Sequence, residues 1–403
     1  MKKNIENIGI IWDQYSWGGV DSYLAYLLNS KYFRETNVTI FLNKNNKGLE
    51  NLKRNLKNSN VNFYYYKNYL TYVGDNKIFK ILRLILAPLI FFVSYLRFKI
   101  LFNNKNFDIF IAQCGGYGNL REEMAALLAI DKKKIKNLFL VVHHACTLPP
   151  LFLGYFVKLI NSILSKKLTS LISVSQATKM TLFNKSNLLD NQVLQDVVIH
   201  NGVPIATKNE NLNKTINEKK IYKVGIISRI EKYKGHEDLI IAIAKLNKYY
   251  LKKFRFEIIG SGDENYLRYL IKLVERNELS SSIHFLGYVK KQINEIIENL
   301  DLVVSATRTF EGFGLSIIEA INLNVPVITT NVGAIPEYLD KDKCEIIPPS
   351  SPEELANSLK NFIDKNDEWK NRADVAKKYL DENLNSDLMG EKYMKHFDNN
   401  FKL

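Results

Sequence analysis

The sequence predicts an α/β protein of two doubly wound domains of similar size, each a parallel sheet wrapped by crossover helices, facing across a cleft. Three observations predict it. The chain has 403 residues, more than one hydrophobic core usually organises. Short β-rich apolar runs alternate with amphipathic stretches along nearly its whole length, the pattern of parallel strands joined by helices. The alternation breaks once, at the polar run ATKNENLNKTINEKK (206–220), and then resumes.

In the first half, strands are predicted at Ile8–Trp12, Val38–Leu42, Val61–Tyr65, Phe107–Ala112, Leu138–Val142, Leu171–Val174 and Val197–His200. Helices lie between most of them, for example Gly19–Asn29 and Glu122–Ala129. The chain then crosses over through Asn201, Gly202, Val203 and Pro204. The second half predicts strands at Tyr222–Ile227, Phe256–Ile259, Ile283–Leu286, Leu302–Ser305, Val327–Thr329 and Glu345–Ile347. From about Pro352 to Leu403 the pattern is helical and charged. The domains are set at residues 1–203 and 204–375, with a helical segment, 376–403, expected to pack back on the first.

Composition narrows the function classes. With 46% hydrophobic and 24% charged residues, the chain is globular and not disordered. Cys114, Cys146 and Cys344 lie too far apart in sequence for a metal or redox motif, and a reducing cytoplasm is the natural setting. The start, MKKNIENIGIIW, reads as a first strand without the apolar length or cleavage site of a signal peptide, so export is not expected.

The net charge of +14 sits entirely in the first half: residues 1–200 hold 26 Lys and Arg against 12 Asp and Glu, and the rest holds 30 of each. Either this is a solubilising surface, or the first domain faces an anionic partner such as membrane lipid or phosphorylated substrate. Nucleic acid is not the expected partner. Residues 78–102 bear on the choice. Their uncharged core, Leu84–Leu96, is thirteen residues, or about 20 Å of helix against a hydrocarbon layer of roughly 30 Å. Pro88 would kink it. The run reads either as a buried crossover helix or as a helix lying among headgroups, flanked by Lys80, Arg83, Arg97 and Lys99. A second apolar-basic stretch, LFLGYFVKLINSILSKKL (151–168), favours membrane contact. The expected location is cytoplasmic, peripheral at the inner face of the cytoplasmic membrane.

The chemistry gathers in residues 301–339, which read as a buried strand, a glycine loop, a helix, a strand and a second glycine loop. The helix is predicted to begin near Gly314, giving an anion site of unpaired N–H groups. Glu311 lies in the loop before it and Glu319 about two turns into it, one carboxylate able to meet a sugar and the other nucleotide hydroxyls. Upstream, Arg229 ends a strand and Lys234 and Gly235 follow five residues later. These cations could neutralise a departing diphosphate, so no metal or other cofactor is expected.

The runs GIISRIEKYKGHEDLIIAI, FEIIGSGDENYLRYLIKLV and FEGFGLSIIEAINLNVPVITTNVGAIPEYL resemble the successive donor-domain motifs of glycosyltransferase family 4, among the glycosyl transferases group 1. The resemblance covers nearly the whole chain and is sharpest from Tyr222 to Leu339. It implies the GT-B architecture of two Rossmann-like domains and a retaining, metal-independent hexosyltransferase. It implies that Arg229 and Lys234 bind the donor diphosphate, Glu319 the ribose and Glu311 the transferred sugar. The backbone of Phe313, Gly314 and Leu315 would hold phosphate or sugar, and Gly260–Gly262 with the residues around Tyr288 would flank the base.

In the first domain, Gly18 and Gly19 match the family's glycine pair near the phosphates, where φ freedom at a helix start would let backbone approach. His143, with His144 as alternate, matches the histidine near the sugar. SVSQATK (173–179) and HNGVP (200–204) match further signposts. The catalytic set implied is His143, Arg229, Lys234 and Glu311. The partners the resemblance implies are a nucleotide-sugar donor and a saccharide or lipid-linked acceptor, with bacterial surface polysaccharide or lipopolysaccharide synthesis as the expected setting. Two other readings stand beside this one. A nucleotide-sugar epimerase on the same fold would convert donor alone, and a non-catalytic glycan or nucleic-acid binder would lose nothing on Glu311→Ala.

Overall fold

The computed structural model describes residues 5–13, 18–58, 60–68, 77–189, 194–206, 221–289 and 293–401. Most of the polar run between the predicted domains, 207–220, falls outside them. The chain forms two compact units, Met1–Gly202 together with Ser386–Leu403, and Val203–Asn385.

The first unit is built on a seven-stranded parallel sheet of order β3-β2-β1-β4-β5-β6-β7. Its strands are β1 (Asn7–Trp12), β2 (Asn37–Asn43), β3 (Val61–Tyr66), β4 (Ile109–Cys114), β5 (Asn137–Val142), β6 (Ser170–Ser173) and β7 (Gln195–Val198). Every residue of β4 and β5 is buried, as expected when helices cover both faces of a parallel sheet. Pairing partners shift three predicted strands by one to two residues. β4 starts at Ile109, opposite Ile8, and leaves Phe107 to pack edge-on against Phe41. β6 and β7 end at Ser173 and Val198, which pair with each other.

The 78–102 run is two helices, Lys77–Ile85 and Ala87–Phe102, bent by 65° where they meet. Pro88 sits in the first turn of the second helix, where its missing N–H costs nothing, so the break falls before it. Among the described residues, no single helix is long and apolar enough to cross a membrane.

The second unit repeats the plan with a six-stranded parallel sheet of order β10-β9-β8-β11-β12-β13. Its strands are β8 (Tyr222–Ile227), β9 (Phe254–Ile259), β10 (Ile283–Gly287), β11 (Leu302–Ser305), β12 (Val327–Thr330) and β13 (Glu345–Ile347). Phe254, Phe256, Phe362 and Trp369 centre its core.

The expected boundary at residue 376 falls inside the helix Asn366–Asn383, which belongs to the second unit. The division comes later because Val203 pairs with Asn385 and donates to the Leu384 carbonyl at 3.0 Å. The last helix, Ser386–Asn400, packs on the first unit through Tyr393 and Phe397, the latter 4.6 Å ring to ring from Phe139. Phe397→Ala should cost the first unit about 3–5 kcal/mol. Urea unfolding followed by circular dichroism checks this, and a change below about 1 kcal/mol would show that the helix is not integral.

Candidate functional site

In the second unit, the chain leaves β8 toward β9 and β10 on one side, and β11 toward β12 and β13 on the other. Ligands of open α/β sheets bind beyond the carboxyl ends of strands at such a reversal. The two loops that carry the predicted donor residues leave the adjacent ends of β8 and β11.

The loops cross at a fixed spacing. Gly235, before the helix His236–Ala244, has φ +73°, and a Cβ there would come within 1.8 Å of the Ala306 carbonyl oxygen. Glycine is required on both counts. Arg308 ties the same crossing. Its N–H donates to the Tyr233 carbonyl at 2.6 Å, and its guanidinium makes two 2.7 Å bonds to Asp238 and one of 2.9 Å to Glu237.

This crossing brings Lys234 to Glu311, Nζ to Oε2, at 2.7 Å, with each side chain 13% exposed. Thr307 donates to the same oxygen at 3.1 Å. Burial alone would lower the Lys234 pKa, but the Glu311 carboxylate and Tyr233 together outweigh it and the shift is upward. Arg229 is 56% exposed, pairs with Glu231 at 2.9 Å and donates to the Tyr233 hydroxyl at 3.0 Å. Tyr233 thus stands between the two cations, with the Lys234 ammonium 5.1 Å from its ring centre.

Gly314 caps the helix Leu315–Asn322 at φ +83°, where a Cβ would meet Ile317 Cδ1 at 2.9 Å. The first N–H groups of such a helix have no partner within it. Phe313 is buried against Tyr338, ring centroids 4.9 Å apart, and Tyr338 donates its hydroxyl to the Phe313 carbonyl. The Phe313–Gly314–Leu315 backbone is therefore held at the helix's positive end. Gly260 closes β9 against the Arg229 loop, where Ser228 N–H bonds Ile259 O at 3.1 Å. Tyr288 lies just beyond β10 and is partly exposed. Glu319 lies one turn into the helix, not two, and is 5% exposed, which leaves little of it for ribose hydroxyls.

In the first unit, Gly18 caps the helix Gly19–Asn29 with φ −165°, extended backbone that any residue adopts, so the expected φ freedom is not used. Its N–H donates to the Asp21 carboxylate, whose pKa burial raises well above the ordinary value. His143 follows β5 and is 7% exposed, with Nε2 2.7 Å from Gln113 Oε1 and its ring edge-on to Tyr23. Burial pulls its pKa down to about 3, so at neutral pH the ring is uncharged and acts as a hydrogen-bonding group, not as an acid. His144 beside it is half-buried.

Among the described residues, no three of His, Cys, Asp and Glu are grouped to hold a metal. The chain does contain one Asp-x-Asp triplet, Asp340–Lys341–Asp342. It precedes β13, at the sheet edge opposite the Lys234–Glu311 pair, and Asp340 pairs with Lys343. Sequence reasoning missed Arg308, Thr307, Tyr233 and Gln113. The only available signal was an arginine three residues before Glu311 and two acids opening the helix after Gly235.

With this geometry in hand, comparison with known proteins defines the class. Residues 207–379 match the family of glycosyl transferases group 1. The match covers most of the second unit, which is a glycosyl transferases group 1 domain. An uncharacterized glycosyltransferase of Methanocaldococcus jannaschii is 26% identical over 326 residues, 77% of this chain and 80% of its own. The O-antigen biosynthesis glycosyltransferase WclY of Escherichia coli is 26% identical over 216 residues, 51% of this chain and 56% of its own. The crystal structure of Anabaena HepE in complex with UDP superposes with a TM-score of 0.73 at 16% identity, covering 98% of this chain and all of that one. The fold is GT-B.

Two outcomes follow from this geometry. Lys234→Met should weaken nucleoside-diphosphate binding about a hundredfold and Arg308→Met about tenfold, because the first removes a cation from the site and the second loosens the loop that carries it. Calorimetric titration checks both, and equal affinity for Arg308→Met would remove its positioning role. His143 should also make stability pH-dependent. Its folded pKa of about 3 lies below the ordinary 6.5, so its contribution is complete above 6.5 and lost as pH falls toward 3. The slope is about 1.4 kcal/mol per pH unit. His143→Gln should flatten unfolding free energy against pH by that amount between those values.

Proposed function

We propose that the protein is a retaining, metal-independent hexosyltransferase of the family 4 type. It moves a sugar from a nucleotide-diphosphate donor to a saccharide or lipid-linked saccharide, in bacterial surface polysaccharide or lipopolysaccharide synthesis. It works in the cytoplasm, at the inner face of the membrane where a lipid-borne acceptor resides. The carrying observation is the Lys234–Glu311 pair beside the Gly314 helix start: a cation for phosphate, a carboxylate for hydroxyls and an N-terminal dipole, all at the sheet's reversal. WclY is named for O-antigen biosynthesis, and HepE was solved with UDP-glucose, which makes a uridine sugar the first donor to try.

In this mechanism, Lys234 exchanges Glu311 for phosphate oxygens as the diphosphate binds, and Arg229 adds its exposed guanidinium. Glu311, released, accepts from a sugar hydroxyl. The acceptor hydroxyl attacks the anomeric carbon from the face that the diphosphate leaves. The C–O bond to phosphate breaks as the new C–O bond forms, and the hydroxyl proton passes to the departing phosphate oxygen. Lys234, Arg229 and the helix start stabilise that oxygen's charge. The metal-free reading is supported by two cations, Lys234 and Arg229, held on one loop beside Tyr233, which could neutralise a diphosphate by themselves. His143, neutral, would donate or accept a hydrogen bond to the sugar.

Glu311 competes with diphosphate for Lys234. Glu311→Gln should therefore keep or tighten UDP affinity while transfer falls at least about a hundredfold. Titration with UDP and anomeric analysis of product by NMR, with and without EDTA, test this. Inverted product, loss of activity with EDTA, or epimerised nucleotide sugar from donor alone would each overturn part of the reading.

A further inference from the structure

The first unit carries an apolar surface that its own fold leaves open. The helix Ala87–Phe102 has two faces. Phe91, Ser94, Phe98 and Phe102 are buried in the core, while Leu89, Phe92, Val93, Leu96 and Ile100 are exposed. The helix Leu151–Lys167 divides the same way. Leu153, Val157, Ile160 and Leu164 face inward, and Leu151, Tyr155, Leu159 and Ile163, each four residues on, make one exposed stripe. The two helices are neighbours, with the Phe91 and Phe156 rings 6.0 Å apart. The helix Lys77–Ile85, at the 65° bend, buries none of its described residues, and Ile78, Ile81 and Ile85 are each at least 60% exposed. Contiguous exposed apolar surface of this extent marks an interaction site.

Charge identifies the occupant. Residues 77–107 hold six Lys and Arg and residues 132–168 hold seven, and neither stretch holds an Asp or Glu. Lys80, Lys99, Lys158 and Lys166 are exposed on these helices. Arg97 is not part of this rim: it turns inward to Glu122, which is fully buried, at 2.6 Å. A protein partner of this apolarity would be matched by side chains of both signs. An apolar face on helices that carry exposed lysines and no acidic residue matches a leaflet of acyl chains under anionic headgroups.

We infer that these three helices form a monotopic docking surface for an anionic lipid leaflet, which names the membrane partner of the proposed transfer and rests on that reading. The docking lies in the plane of the leaflet. The longer helix of the bent pair has sixteen residues, about 24 Å of rise against roughly 30 Å of hydrocarbon. It is also anchored to the core through Phe91, Phe98 and Phe102. The lysines would sit among headgroups with the leucine and isoleucine side chains below them.

The test is sedimentation of the whole protein with vesicles of phosphatidylcholine, alone or mixed with phosphatidylglycerol. Thermal stabilisation by UDP is measured in parallel as the check on the donor site. Binding to the mixed vesicles only, released by alkaline carbonate, is the expected result. The combined variant Leu151→Ser, Tyr155→Ser and Leu159→Ser should lose at least about tenfold in vesicle affinity. Lys80→Glu with Lys158→Glu should lose about as much. Both should keep the wild-type melting temperature and UDP response. No sedimentation with either vesicle, undiminished binding by both variants, or resistance to carbonate would overturn the inference. Failure of UDP to stabilise any form would count against the donor site and leave the docking surface standing.

Discussion

The carbonyl oxygen of Ala306 occupies the space that any side chain at position 235 would need. Everything proposed for the donor site depends on that close crossing. It lets the β8 and β11 loops approach until the Arg308 N–H can bond the Tyr233 carbonyl, and it aims Lys234 at Glu311. The Arg308 guanidinium secures the crossing from the other side, on two acids of the helix that Gly235 begins. A glycine that removes bulk and an arginine that adds bonds thus set one distance between two loops.

That distance has an electrostatic consequence. Lys234 and Glu311 are mostly removed from water, where an unpaired charge would cost several kcal/mol. Paired with the carboxylate, the ammonium is held in its charged form. The site is therefore charged and balanced before any ligand arrives, and an incoming diphosphate substitutes one anion for another. The same principle runs oppositely at His143, whose ring meets the Gln113 amide and Tyr23 and is held neutral by burial.

The first unit shows how a sheet domain can leave part of its cover unfinished. Helices over a parallel sheet normally bury one face and present charge on the other. Here the outer faces of Ala87–Phe102 and Leu151–Lys167 are apolar as well, and their cations gather around that surface. The whole basic excess of the chain lies in the half that carries it.

Most strand positions, the two-sheet plan and the loops of the candidate site were legible in the sequence, because each depends on local order: apolar period, glycine position, cations five residues apart. The resemblance was legible for the same reason, as GIISRIEKYKG and FEGFGL are each one continuous loop. Their meeting was not. Lys234 and Glu311 are 77 positions apart, and only the adjacency of β8 and β11 joins them. Nothing local marks the pairing of Arg308, whose partner Asp238 lies 70 positions away. The 78–102 run was ambiguous because an all-apolar helix has no period to show which face is covered. Packing resolves it, with Phe91 and Phe98 turned into the core and Leu89 and Ile100 left outside. Sequence alone determined the elements and their chemical content; tertiary structure decided which residues pair and which apolar faces stay open, because pairing and burial arise only when distant segments share space.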